Sequence, residues 1–245
     1  MRRVTFGILA MALCVTLSSA CGDGGSTTAS PPPAAATASS PAVTITASPS
    51  KPSPTGPRPF SAKISKVTRT TVEHSWHPGC PVGLDGLRLI TMTYWGMDKK
   101  THEGQLVVNA DSASKIVKVF HKLYDERYPI RRMELVDKYG GSDFKSIEAD
   151  NTSAFNCRNA TGASSWSQHA YGNAVDLNTC ENPYVHPNGH IEHPRCVKYG
   201  NRKRTDPGVI HAGDKVVKAF RSIGWGWGGS WGGPWDFQHF SANGH

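Results

Sequence analysis

The sequence predicts an α+β fold, a small antiparallel or mixed sheet with helices packed on one side. Two observations carry that expectation. Runs with the two-residue alternation of strands stand close enough together to form hairpins, and only two segments show the spacing of an amphipathic helix, so the order of strands and helices is mixed.

The chain opens with Met1-Arg2-Arg3 and an apolar run from Val4 to Leu17, the charged start and short hydrophobic core of a secretory signal over residues 1–20. The run is too short to remain as a membrane-spanning helix. Its exit, Leu17-Ser18-Ser19-Ala20-Cys21, resembles a bacterial lipoprotein box, although the Leu stands four residues before the Cys instead of three. Lipidation of Cys21 predicts an anchor on the outer face of the cell membrane; simple cleavage after Ala20 predicts a secreted protein. Residues 21–58 are mostly Gly, Ser, Thr, Ala and Pro. They offer too little apolar surface to offset ordering entropy, so they read as a flexible tether. Residues 59–245 have the size of one domain with its own core.

Within that domain Leu87–Trp95 alternates Leu87, Leu89, Thr91 and Thr93 against Arg88, Ile90, Met92 and Tyr94, which predicts a strand. A second β-rich run covers Gln105–Asn109. From Asp111 or Ser112, Ile116, Val117, Phe120, Leu123 and Tyr124 recur at helical spacing, and the helix must end before Pro129. Ile130–Val136 alternates again and predicts a strand, as do Ala174–Leu177 and Trp235–Phe240. A second helix is expected from about Asp214 to Ile223, with Gly224 as its stop. Between them Trp225–Gly233, where Gly alternates with Trp, reads as a loop holding large rings close to the backbone.

The sequence contains six Cys. Cys14 leaves with the signal and Cys21 is the candidate lipid site. Cys80, Cys157, Cys180 and Cys196 remain, an even number in an exported domain, which predicts two disulfides. The spacing of Cys180 and Cys196 suggests a stapled loop, leaving Cys80 with Cys157; two other connectivities stay open. No Cys-x-x-Cys pair supports a Cys-rich zinc site. The formal charge of +8 fits attraction to anionic wall or membrane polymers. Nucleic acid is disfavoured by export and by the lack of a basic helix or an RNA-type aromatic motif.

Chemistry concentrates in two stretches, Ser165–Asn178 and Trp235–Phe240. His169, Asp176 and His239 offer two imidazoles and a carboxylate, three ligands that would leave a fourth tetrahedral zinc position open, as in catalytic sites. Strict alternation would set Asp236 and His239 on opposite strand faces, so Asp236 is expected just before the strand proper. From there it could serve as a proton carrier without being a ligand. Arg158, beside Cys157, is a candidate for steadying developing negative charge. His186, His190, His193 and His211 lie in polar loops and read as ordinary hydrogen-bonding residues. The Trp-rich loop reads as core packing or the floor of a cleft.

Ser167-Gln168-His169-Ala170-Tyr171-Gly172-Asn173-Ala174-Val175-Asp176 and Asp236-Phe237-Gln238-His239 closely resemble the signature of the bacterial zinc D-alanyl-D-alanine carboxypeptidase and L-alanyl-D-glutamate endopeptidase family, Ser-x-His-x-x-Gly-x-Ala-x-Asp followed by Asp/Glu-x-x-His. The resemblance implies a hedgehog/DD-peptidase-like fold with a Zn²⁺ site at the sheet, zinc on His169, Asp176 and His239, catalysis by Asp236 and help from Arg158. Ser167, Gln168, Tyr184 and Trp235 become substrate-binding candidates, and the Cys180–Arg204 loop a wall of the cleft. The implied activity is hydrolysis of peptidoglycan stem peptides, as a carboxypeptidase or, because Asp stands where many carboxypeptidases carry Glu, as an endopeptidase. An inactive wall-peptide-binding relative is the non-enzyme alternative. A monomer is expected.

Overall fold

The computed structural model describes residues 58–245; the signal segment, Cys21 and the tether up to residue 57 lie outside the described residues. Strands β1 (Ala62–Lys66), β2 (Leu87–Trp95) and β3 (Thr101–Asn109) form an antiparallel sheet in that order. The β2–β3 hairpin runs in unbroken register from Leu87↔Asn109 to Trp95↔Thr101. This pairing draws the polar residues 101–104 into β3, which therefore starts four residues before the apolar run that announces it. At the edge, β1 carries little apolar signal; it is held by its backbone ladder with β2, and its lysines suit an exposed edge.

The alternation of β2 and β3 divides two cores. Ile90, Met92, Leu106 and Val108 face helix α1 (Ala110–Asp125), whose Ala113, Ile116, Phe120 and Leu123 form the buried stripe. Leu87 and Val107 face the other way, against Val67, Val72 and Phe155. The side chain of Asn109 caps α1 by accepting the Asp111 N–H at 3.1 Å.

Ile130–Val136 is not a strand. Its backbone is divided among separate partners: Ile130 N–H donates to Trp95 O, Met133 O accepts from Gln105 and Arg132 O accepts from Thr152. Only the isolated bridges Gly96↔Ile130 and Met133↔Thr152 result. A short helix, α2 (Asp143–Glu148), follows, capped by Ser142.

Strands β4 (Ala174–Asp176), β6 (Gly226–Trp227) and β8 (His239–Ser241) make a second antiparallel sheet in the order β4-β8-β6, and β5 (Tyr184–Val185) pairs with β7 (Trp235–Asp236). The expected single strand over Trp235–Phe240 is thus broken in two. Phe237 O accepts the Trp227 indole N–H at 2.9 Å and Gln238 O accepts from Leu177 at 3.0 Å, so the backbone between the halves is held by different elements. Likewise the Trp225–Gly233 loop contributes β6. Helix α3 (Lys215–Arg221) is held by Phe220, stacked on Phe240 with ring centroids 4.0 Å apart and set edge-on to Phe120 of α1. The fold is mixed α and β with small antiparallel sheets and few helices. Cys80–Cys157 and Cys180–Cys196 are disulfides. Among the described residues no helix is long and apolar enough to cross a membrane.

Candidate metal centre

His169 sits in a single 3₁₀ turn, Gln168–Tyr171, between two fixed ends. The Ser167 hydroxyl accepts the His169 backbone N–H at 3.3 Å. At the other end Gly172 has φ +68°, and a Cβ there would lie 2.5 Å from the Asn109 nitrogen, so only glycine fits. The His169 carbonyl accepts from Asn156, and its Nδ1 lies 2.5 Å from Ala154 O. A donating Nδ1–H leaves Nε2 with a free lone pair.

Asp176 and His239 are directly opposed residues of β4 and β8, so strand register alone brings their side chains together. His169 Nε2 lies 3.2 Å from His239 Nδ1 and 3.2 Å from Asp176 Oδ2, and His239 Nδ1 lies 3.1 Å from Asp176 Oδ1. All three residues are buried, at 3%, 2% and 6% exposure for His169, Asp176 and His239.

These atoms fit a zinc ion. Ligands about 2.0–2.1 Å from a tetrahedral zinc stand about 3.3 Å apart, close to the separations here. The donor chemistry agrees: an imidazole lone pair faces a carboxylate oxygen in a buried site, an arrangement that calls for a cation between them. The electrostatics say the same. Burial pushes His169 down, but the Asp176 carboxylate outweighs it and the net shift is upward. Burial would raise Asp176, yet His169 and His239 hold it well below the usual carboxylate range. The other three-residue cluster among the described residues, His77, Cys80 and Cys157, contains a disulfide, whose sulfurs are not thiolate ligands.

Asp236 stands on β7, apart from His239 on β8, which settles how the two can face one site. Gly228 allows the approach of the Trp-rich loop: a Cβ there would meet Asp236 O at 2.5 Å. Asp236 Oδ1 is buried without a hydrogen-bond partner. Burial and then the Asp176 charge push its carboxyl up to about 7, with His239 and Arg158 pulling the other way.

Arg158 is tied to the His169 turn by Ser167 N–H donating to Arg158 O at 3.1 Å, and the Cys80–Cys157 disulfide lies next to it. Its guanidinium pairs with Asp143 of α2 at 2.9 Å, and its Nε is buried without a partner. Arg158, Thr161, Tyr184 and Asp236 line two adjoining cavities. One, of about 220 Å³, includes Ser167, Trp231 and both histidines; the other, of about 250 Å³, includes Phe144, Glu192 and Gln238.

Ser167 and Tyr184 therefore reach the cleft. Gln168, half-buried in the 3₁₀ turn, and Trp235, 36% exposed on β7, are not among the residues lining these cavities. Sequence reasoning missed Asp143, Phe144, His186, His193 and Gln238. Only Gln238, inside the Asp236–His239 motif, carried a local signal.

A family model described as D-alanyl-D-alanine carboxypeptidase matches residues 161–242. Residues 161–242 are thus similar to that peptidase family. The match spans His169, Asp176, Asp236 and His239 and leaves out the first sheet, α1 and Arg158. No curated protein and no solved structure matches the chain.

Proposed function

We propose that the chain is a zinc-dependent peptidase of peptidoglycan stem peptides, with removal of the terminal residue of a D-alanyl-D-alanine end as the first reading. The observation that carries it is the convergence of His169, Asp176 and His239 beside a separate buried carboxylate, Asp236. Zinc, when bound, polarises a scissile carbonyl and lowers the pKa of water.

The chain's own groups do the rest. The Ala154 carbonyl fixes the tautomer of His169, and Asp176 supplies negative charge to the site. Asp236 takes a proton from the attacking water and delivers it to the leaving amine; a carboxyl held near neutrality can do both. The unpaired Nε–H of Arg158 is a donor for the substrate carbonyl as it becomes an oxyanion. Trp231, whose ring lies 5.6 Å from that of His239, screens the site from bulk water.

An endopeptidase is the second reading, and Arg158 favours it. The one Lys or Arg lining the two cavities is already neutralised by Asp143, so no spare cation waits for a free terminal carboxylate. An inactive binding relative would have little need of Asp236. In this account residues 1–20 direct export, 21–58 form the tether, Cys21 is the lipid anchor, and 59–245 act as a monomeric domain outside the cell membrane. Mass analysis of products from an intact stem pentapeptide tests the activity: loss of one terminal alanine means carboxypeptidase, an internal cut means endopeptidase. An intact peptide after incubation with zinc-loaded protein would refute both.

A further inference from the structure

We infer that the cavity beside Asp236 is a subsite for an ammonium-bearing side chain of the peptide substrate, with Gln238 and Glu192 as its polar contacts; this rests on the peptidase reading above. Gln238 is only 3% exposed, yet its side chain lines this cavity and its Oε1 is buried with no hydrogen-bond partner. A buried amide oxygen left unpaired is costly, and a donor brought in through the cavity would relieve that cost.

The charge of the lining selects which donor. The chain carries a net +8, but this cavity contains Asp143, Glu192 and Asp236 against Arg158 alone, and Arg158 is paired with Asp143. With Asp143 paired and Asp236 committed to the metal site, the charge left to face a substrate side chain is that of Glu192. Glu192, with a half-exposed side chain, has His186 at 3.5 Å as its one charge-pairing partner among the described residues and stands at the rim. The wall suits the rest of such a side chain. Phe144, 53% exposed on α2 and set against His193 at 4.5 Å, and Ile147 one helical turn later present apolar surface to methylene groups. The Arg158–Asp143 ion pair and the His193–Glu148 hydrogen bond hold the two ends of α2 in place as that wall.

The test uses stem pentapeptides carrying lysine, Nε-acetyllysine or norleucine at the diamino-acid position, with zinc-loaded native, Glu192→Gln and Gln238→Leu proteins. A hydrogen bond to a charged group contributes about 1.5–3 kcal/mol. The lysine peptide should therefore exceed the other two by about tenfold or more in kcat/KM, and each substitution should cut that preference to about threefold or less. Equal kcat/KM for the three peptides with native protein sinks the subsite while leaving the peptidase reading intact. Turnover of none of them sinks the peptidase reading. Calorimetric binding of the same peptides to zinc-loaded Asp236→Ala then decides the subsite separately: a tenfold preference for lysine sustains it, and equal affinities overturn it.

Discussion

Replacing Asp236 by Asn should sharply reduce turnover and stabilise the metal-free protein at the same time. The buried Asp236 carboxyl titrates at about 7 in the folded chain against 3.8 as the reference value. Its folded pKa is raised, so the cost of the charge is absent below about pH 4, grows as pH rises and is complete above about pH 7. At about 1.4 kcal/mol per pH unit the full cost is about 4 kcal/mol. Asp236 is only half-buried as a residue, and solvent reaching the carboxylate through the cleft trims this to about 2 kcal/mol. The Asn variant avoids that cost. Urea unfolding of chelator-treated native and Asp236→Asn proteins should show the variant about 2–4 kcal/mol more stable at pH 8.5 and nearly equal at pH 4. In the zinc-loaded proteins the gain should shrink, because a nearby dication favours the carboxylate. Turnover should fall by about 10²- to 10⁴-fold, the usual contribution of a general base. A stability gain that is the same at both pH values, or an Asn variant that keeps its activity, would refute the reasoning.

Three further outcomes follow from the fold and the cleft. Phe220→Ala removes a fully buried ring stacked on Phe240, the neighbour of His239, and should cost about 3–5 kcal/mol in chemical denaturation; a cost under about 1 kcal/mol would show that α3 does not support the second sheet. Cys180→Ser with Cys196→Ser opens a loop of sequence separation 16 that carries Tyr184 and Glu192. About 3 kcal/mol of stability should be lost, read as a melting temperature lower by about 6–12 °C, and KM should rise. Unchanged KM would detach that loop from the cleft. Arg158→Ala should lower kcat by about 10²-fold, with Arg158→Lys restoring little of it, since Lys lacks the fork that meets both Asp143 and substrate; full rescue by Lys would leave only a charge effect.

The local periods that depend on one neighbour were legible in the sequence. Strand β2 and helices α1 and α3 are defined by which of their faces is apolar; the spacing of Cys180 and Cys196 suggested their disulfide, which is found with Cys80–Cys157, one of three connectivities the sequence left open. Ile130–Val136 and Trp235–Phe240 were not legible, because their alternation is the same whether the backbone pairs with one strand or with several partners. Trp95, Gln105 and Thr152 divide the first segment, and Trp227 and Leu177 interrupt the second. β1 is defined by its partner's ladder and not by its own residues. In the site, His169, Asp176, Asp236 and His239 stood out because motif and chemistry coincide. The α2 wall did not, since Asp143, Phe144 and Glu148 gain meaning only from Arg158 and His193, which are distant in sequence. Gln238 was read only as a member of the Asp236–His239 motif; its orphaned oxygen is a property of the packed cleft.

In the proposed site His169, Asp176 and His239 hold one zinc ion while Asp236 acts without holding it. Elemental analysis of purified protein after zinc loading and dialysis tests this most directly. Native and Asp236→Ala proteins should hold about one zinc per chain, and His169→Ala or His239→Ala essentially none, since two remaining ligands do not make a closed site. Full zinc occupancy after either histidine substitution, or its loss in Asp236→Ala, would contradict the assignment.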